Sequence, residues 1–235
     1  MVPELHPQWR RLDLARILEA DPAFINMDSQ NSILHPEGCL AAEGIWKRAR
    51  ASGGSLESTL KLARACRAAR LRFMWLRYDR FIGEKQPCNP MDEAQYRFWN
   101  REYTGDAERK AWEAELVDEV KATMSPDDVT LVYPAWNIFV GTPVARWLAM
   151  WGTRTLILSG YHTDWCVEMA ARSSRDLGYM PIVVGDACGS TVEMHDAALC
   201  RINDCYAPVI SAAEAIELVD RSARRFSQQQ RRDQR

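Results

Sequence analysis

The chain has 235 residues, with 30 Lys and Arg against 32 Asp and Glu, 47% hydrophobic and 26% charged residues, seven Cys and nine Trp. That length suits one large domain whose core needs no staples, and a net charge of −2 gives no general attraction for nucleic acid or an anionic membrane. Seven cysteines without a C-x-x-C pair argue against a disulfide framework and a structural zinc site.

The N-terminal stretch MVPELHPQWRRLDLARILEADP lacks the apolar core of a signal peptide, and no apolar run approaches membrane-helix length. A reduced, soluble, cytoplasmic protein is expected. AFINMD (23–28) is short, apolar and closed by polar residues, which predicts a buried strand. SLESTLKLARACRAARL (55–71) places Leu56, Leu60, Ala63 and Cys66 on one helical face, and RFMWLR (72–77) reads as the next strand. Residues 79–122 give no strand signal. They carry Pro87 and Pro90, then aromatic-rich helical sequence, and residues 84–119 hold ten acidic and five basic side chains. A solvated helical excursion is the plainer expectation, and a lid or subunit contact through Tyr96, Phe98, Trp99 and Tyr103 the sharper one.

Beyond it, TLVY (130–133), TLILSG (155–160) and MPIVVGDA (180–187) read as strands. They alternate with helices over 142–152, 166–179 and 192–204, with Gly152 and Gly178 as stops. APVI and SAAEAIELVDRSARR complete a single domain over 1–220, and the Arg-rich segment 221–235 is expected as a disordered tail. Strands alternating with single helices predict an α/β fold, a mostly parallel sheet covered on both faces.

In such sheets ligands bind at the carboxyl ends of the strands. There the sequence puts Asp28, Gln30 and Asn31; Arg77, Tyr78 and Asp79; YPAWNIFVGT (133–142); GYHTDWC (160–166); and Asp186. Cys166 opens a helix, where the dipole and free N–H groups favour thiolate and can hold an oxyanion, and Thr163 or Asp164 can cap. The other six cysteines read as packing residues, Asp186 as a loop anchor, and His35 and His195 as surface or packing residues. Tyr78, Trp136, Phe139, Tyr161 and Trp165 cluster at these ends and predict a pocket for a flat or apolar small molecule, with Arg77 available to a carboxylate.

FINMDSQ, NIFVGTPVARWLAMWG and SGYHTDWCVEMAARSSRDLGYMPIVVGDA, in this order, carry a family resemblance. From about residue 22 to 219 the chain resembles the isochorismatase-like cysteine hydrolases. The resemblance implies a three-layer sandwich around a six-stranded sheet, homodimers or homotetramers, and a catalytic Asp, Lys and Cys. Asp28 and Cys166 match two of these. The Lys position, six before Phe139, is Tyr133, a neutral hydrogen-bond donor. No other lysine stands at a neighbouring strand end; Lys85 and Lys121 lie in the excursion.

The chemistry implied is cofactor-independent: Asp takes the thiol proton, and the thiolate attacks an amide-type carbonyl to give a thioester that water cleaves. Backbone N–H groups of His162 and Cys166 would hold the oxyanion, with a cis peptide between Tyr161 and His162. Gln30 belongs to the family's Asp-x-Gln and joins the substrate-site candidates. His162 or Arg77 could restore the missing positive charge, and an activated Cys166 should alkylate faster than the other thiols. The nicotinamidase branch takes zinc on an Asp and two His after its second strand. RYDRFIGEKQPC here holds no His, so no metal is expected. The alternatives are vinyl-ether hydrolysis with Asp28 as general acid, and a ligand-binding or assembly subunit that has lost catalysis.

Overall fold

The computed structural model describes residues 1–19, 21–79, 90–91, 94 and 107–233. Six strands form one sheet: β1 (Ala23–Met27), β2 (Arg72–Tyr78), β3 (Val129–Tyr133), β4 (Thr155–Tyr161), β5 (Met180–Gly189) and β6 (Val209–Ile210). All pairs are parallel, in the order β3-β2-β1-β4-β5-β6. The order reverses beside β1, so the gap between β1 and β4 at their carboxyl ends is the switch point of a doubly wound sheet. β4 comes so close to β1 there that a Cβ on Gly160 would lie 2.0 Å from the Met27 carbonyl oxygen. Only glycine fits, and its φ of +127° suits no other residue.

Two helical layers cover the sheet. One holds α1 (Leu14–Ile17), α2 (Asn31–Leu34), α3 (Ile45–Ala49), α4 (Ser55–Ala68), α5 (Ala107–Ala114), α6 (Asp118–Lys121) and the last helix. It buries Phe24, Phe73, Trp75, Ile157 and Tyr161 under Leu62, Cys66, Leu116, Val120 and Val219. The other holds α7 (Val144–Met150), α8 (Glu168–Asp176) and α9 (Val192–Cys205), over Ile25, Met27, Met74, Leu76 and Leu158. Side chains two apart share a face, so even and odd positions of β1 feed different layers. With both faces covered, the strands read as continuous apolar runs.

Among the described residues each predicted strand and helix is present, with ends moved by a few residues. The last helix, α10 (Ala212–Asp233), corrects the expected disordered tail, because residues 221–233 continue it. No Gly or Pro interrupts the run, Arg and Gln are good helix formers, and Val219 and Ser222 are buried. Residues 107–122 correct the solvated excursion: α5 and α6 lie in the first layer, and Leu116, Val117 and Val120 are core residues. Glu113 is also buried there, accepting from the Cys39 N–H at 3.1 Å and pairing with Arg109. Tyr96, Phe98, Trp99, Tyr103 and Lys85, with the proposed lid, lie outside the described residues. Among the described residues, no helix is long and apolar enough to cross a membrane.

Candidate active site

Asp28 follows β1 immediately. By alternation its side chain belongs to the first layer, but its φ of +57° turns it toward the second. Its N–H donates to the Leu76 carbonyl at 2.9 Å, which fixes the turn. Oδ1 accepts the Tyr78 N–H at 2.8 Å, and Oδ2 accepts the Tyr133 hydroxyl at 2.5 Å. Tyr133, the last residue of β3, is fully buried.

Cys166 comes from across the switch point. The chain leaves β4 through a cis peptide between Tyr161 and His162, as the resemblance implies, and enters a single turn of π-helix over Thr163–Val167. The Val167 N–H reaches back to the His162 carbonyl at 3.2 Å, and α8 continues from Glu168. One wide turn of this kind re-aims the side chains it carries. It places the buried Cys166 thiol where Asp28 and Tyr133 both act on it electrostatically.

Neither Thr163 nor Asp164 caps the helix, contrary to expectation. Thr163 bonds His195 Nδ1 at 2.7 Å, and Asp164 accepts from the Ser190 hydroxyl at 2.5 Å. Both side chains tie the π-turn to β5 and α9. Asp186, within β5, is structural, accepting the N–H of Ala212 at the start of the last helix at 2.6 Å.

The electrostatics follow from burial. Removal from water drives the Asp28 carboxyl up to about 6, against the hydrogen bonds from Tyr133, Cys166 and Tyr78 and the charge of His162. Burial, followed by the Asp28 charge, pushes both the Tyr133 hydroxyl and the Cys166 thiol well above their usual ranges. The helix start favours thiolate and the missing lysine at position 133 opposes it; the thiol lies on the protonated side, through burial and the Asp28 charge. Near neutral pH the site holds an ionised carboxylate between two protonated neighbours. A carboxylate near 6 is matched to accept a proton at physiological pH.

The candidate binding residues divide. Tyr78 stands 5.6 Å ring to ring from Tyr133. Trp165 stacks on Trp136 at 5.5 Å and packs at a tilt against the His162 ring at 4.7 Å. Phe139 stacks on Tyr179 at 6.0 Å. These side chains lie against the layer that holds Cys166. Tyr161 does not: it is buried in the other layer, its hydroxyl 2.8 Å from Ser55 Oγ, as the parity it shares with Ile157 dictates. Arg77 shares the parity of Phe73 and Trp75, and its Nη1 donates to the Ala114 carbonyl at 3.3 Å. Gln30 holds backbone. Its amide accepts the Tyr78 N–H and donates to the Tyr78 and Ala114 carbonyls, each at 3.0 Å.

Sequence reasoning missed Glu43. Its Oε2 lies 2.9 Å from His162 Nε2, and no spacing rule connects residues 119 apart. It also missed Asn26, which joins β1 to β4 beneath the site through Ser159 Oγ at 2.9 Å. The signal there was a polar residue inside an apolar strand.

A buried thiol, carboxylate and hydroxyl gathered at the switch point of a doubly wound parallel sheet define a cysteine hydrolase of the α/β class. Comparison with known proteins carries the assignment further. The Isochorismatase domain matches residues 22–214, and the chain belongs to the isochorismatase family. Ureidoacrylate amidohydrolase RutB of Methylorubrum extorquens (strain DSM 6343 / CIP 106787 / DM4) is 29% identical over 172 residues, covering 70% of this chain and 68% of that protein. A cysteine hydrolase from Pseudomonas syringae pv. phaseolicola 1448A shares the fold with a TM-score of 0.71 at 20% identity, covering 87% of this chain and 94% of that one. N-carbamoylsarcosine amidase from Thermoplasma acidophilum does so with a TM-score of 0.62 at 24% identity, covering 82% and 96%.

Proposed function

We propose that this protein is an amidohydrolase that cleaves a C–N bond in a small, planar amide or ureido compound through a thioester on Cys166. It is a hydrolase of its family acting on carbon–nitrogen bonds other than peptide bonds, in keeping with the amidohydrolases it resembles. The observation that carries the mechanism is the Asp28 carboxylate accepting the Tyr133 hydroxyl at 2.5 Å while acting on the buried Cys166 thiol.

In the resting site Tyr133 has one proton, and it points at Asp28. A lysine at this position would have three donors and a fixed charge, enough for carboxylate and thiolate together. Tyrosine must choose. As the thiol proton passes to Asp28, the carboxyl no longer needs the hydroxyl, which swings to donate to the new thiolate. The thiolate attacks the carbonyl carbon, and the backbone N–H groups of His162 and Cys166 are assigned the oxyanion. Asp28 returns the proton to the leaving nitrogen as the C–N bond breaks. Water then attacks the thioester, Asp28 takes its proton, and the thiol leaves with it. The stacked Trp136 and Trp165 supply a flat wall for a conjugated substrate, and a homodimer or homotetramer is the assembly we assign.

Mass spectrometry of the enzyme mixed with a panel of amides and ureido acids tests this. An acyl adduct on Cys166, and no turnover by Cys166→Ala, is the expected result. A second reading, general-acid cleavage of a vinyl ether by Asp28, is favoured by the protonated thiol and a carboxyl near 6. Full turnover of any substrate by Cys166→Ala would select it and sink the thioester route.

A further inference from the structure

Glu43 lies outside every motif of the site, yet it meets the site directly. It ends a short 3₁₀ turn (Ala41–Glu43) in the crossover from β1 to β2, and Gly44, at φ +68°, turns the chain away behind it. The His162 ring is 6% exposed, and its Nε2 faces Glu43 Oε2 at 2.9 Å. A carboxylate only accepts, so Nε2 carries a proton and the ring has one orientation. That ring lies against Trp165 at 4.7 Å, which stacks on Trp136 at 5.5 Å and 16°. Trp165 precedes Cys166 in the chain. One carboxylate thus anchors a run of three flat rings whose middle member immediately precedes the nucleophile in the chain.

We propose that Glu43 is a positioning residue, which acts through the His162 ring to fix the aromatic wall and the 161–166 turn in register with the Cys166 thiol. The inference rests on the amidohydrolase reading for its kinetic effect and on geometry alone for its structural effect. The device is a hydrogen bond, so it needs an acceptor at position 43 rather than a charge. Glu43→Gln keeps an acceptor for the Nε2–H, whereas Glu43→Ala removes it. Loss of orientation at a reacting group lowers the rate of the bound complex more than the affinity, by about tenfold for a modest displacement.

Three measurements on the full-length protein decide it. The Nε2–H proton of His162, assigned by NMR among four histidines, should be protected and downfield in wild type and Glu43→Gln and lost in Glu43→Ala. The near-UV circular dichroism of the tryptophan pair should follow the same order. On an amide that the wild type turns over, Glu43→Ala should lose about tenfold in kcat with KM nearly unchanged, and Glu43→Gln should restore most of it. Should Glu43→Ala not fold, His162→Phe, which keeps a ring and loses the donor, replaces it. The proposal is overturned if Glu43→Gln is as impaired as the variant without an acceptor, or if loss of the acceptor leaves the spectra and kcat untouched. Absence of any amide turnover by the wild type would sink the amidohydrolase reading, and the two spectra would still decide the role of Glu43.

Discussion

Two tyrosines end two strands of the same sheet, and both are fully buried. Tyr161 closes β4 and Tyr133 closes β3. Burial pushes both hydroxyls above the ordinary phenol range. The difference lies in the partner. Tyr161 meets the Ser55 hydroxyl, where either oxygen can donate, and the result is a neutral link between β4 and α4. Tyr133 meets a carboxylate that itself acts on a buried thiol. A raised pKa therefore marks burial in both places and chemistry in only one. What separates a site from a core contact here is a second group able to give or take the proton.

The comparison breaks most sharply under matched deletions of the hydroxyls. Tyr133→Phe leaves Asp28 and the nascent thiolate without their shared donor, and kcat for amide hydrolysis should fall by about 10²–10³, the usual effect of removing one donor that acts on developing charge. A fall of less than threefold in steady-state assays would return Tyr133 to the class of Tyr161. The protonation of Cys166 gives the next effect. With the thiol buried and facing Asp28, iodoacetamide at pH 7.5 should modify the exposed Cys200 and Cys205 at least tenfold faster than Cys166, read by peptide mass spectrometry. That reverses the order expected from the helix start alone.

Asp28 sharpens the contrast through stability. Its carboxyl titrates near 6 in the fold against 3.8 when exposed, so between these values the native state holds a proton that the unfolded chain has lost. Stability then falls as pH rises from about 4 to about 6 and is level above, a difference of roughly 2–3 kcal/mol. Asp28→Asn removes this dependence. Denaturant curves at pH 4 and pH 7 should show wild type losing that amount relative to the variant; parallel behaviour would mean that the site does not strain the carboxylate. The smallest effect belongs to the other tyrosine. Tyr161→Phe should cost about 1 kcal/mol by urea denaturation, with kcat within twofold.

Much of this was legible beforehand. Alternating apolar runs and helices carried the fold, and the family resemblance, counted back from Phe139, implied Tyr133 at the site beside Asp28. Parity could have put Tyr161 in the other layer, since it stands four residues beyond Ile157 on the same strand. An uninterrupted run of helix formers after Ala212 could have extended the last helix. Other features were beyond reach. The state of the thiol depends on how much water three-dimensional packing removes, and a helix-start argument sees only the dipole. Glu43 lies in an ordinary loop, AAEG, and its meeting with His162 is set by the path of an entire crossover.

The left-handed turn at Asp28 narrows what position 28 can be. A φ of +57° is comfortable for glycine, tolerable for asparagine and aspartate, and poor for everything larger. Glutamate, which keeps the charge, is the wrong shape for the backbone, and glycine, which suits the backbone, has no proton to move. Aspartate alone meets both conditions. Backbone and chemistry thus converge on one letter for unrelated reasons, so a carboxylate at this place need not have been chosen first for catalysis.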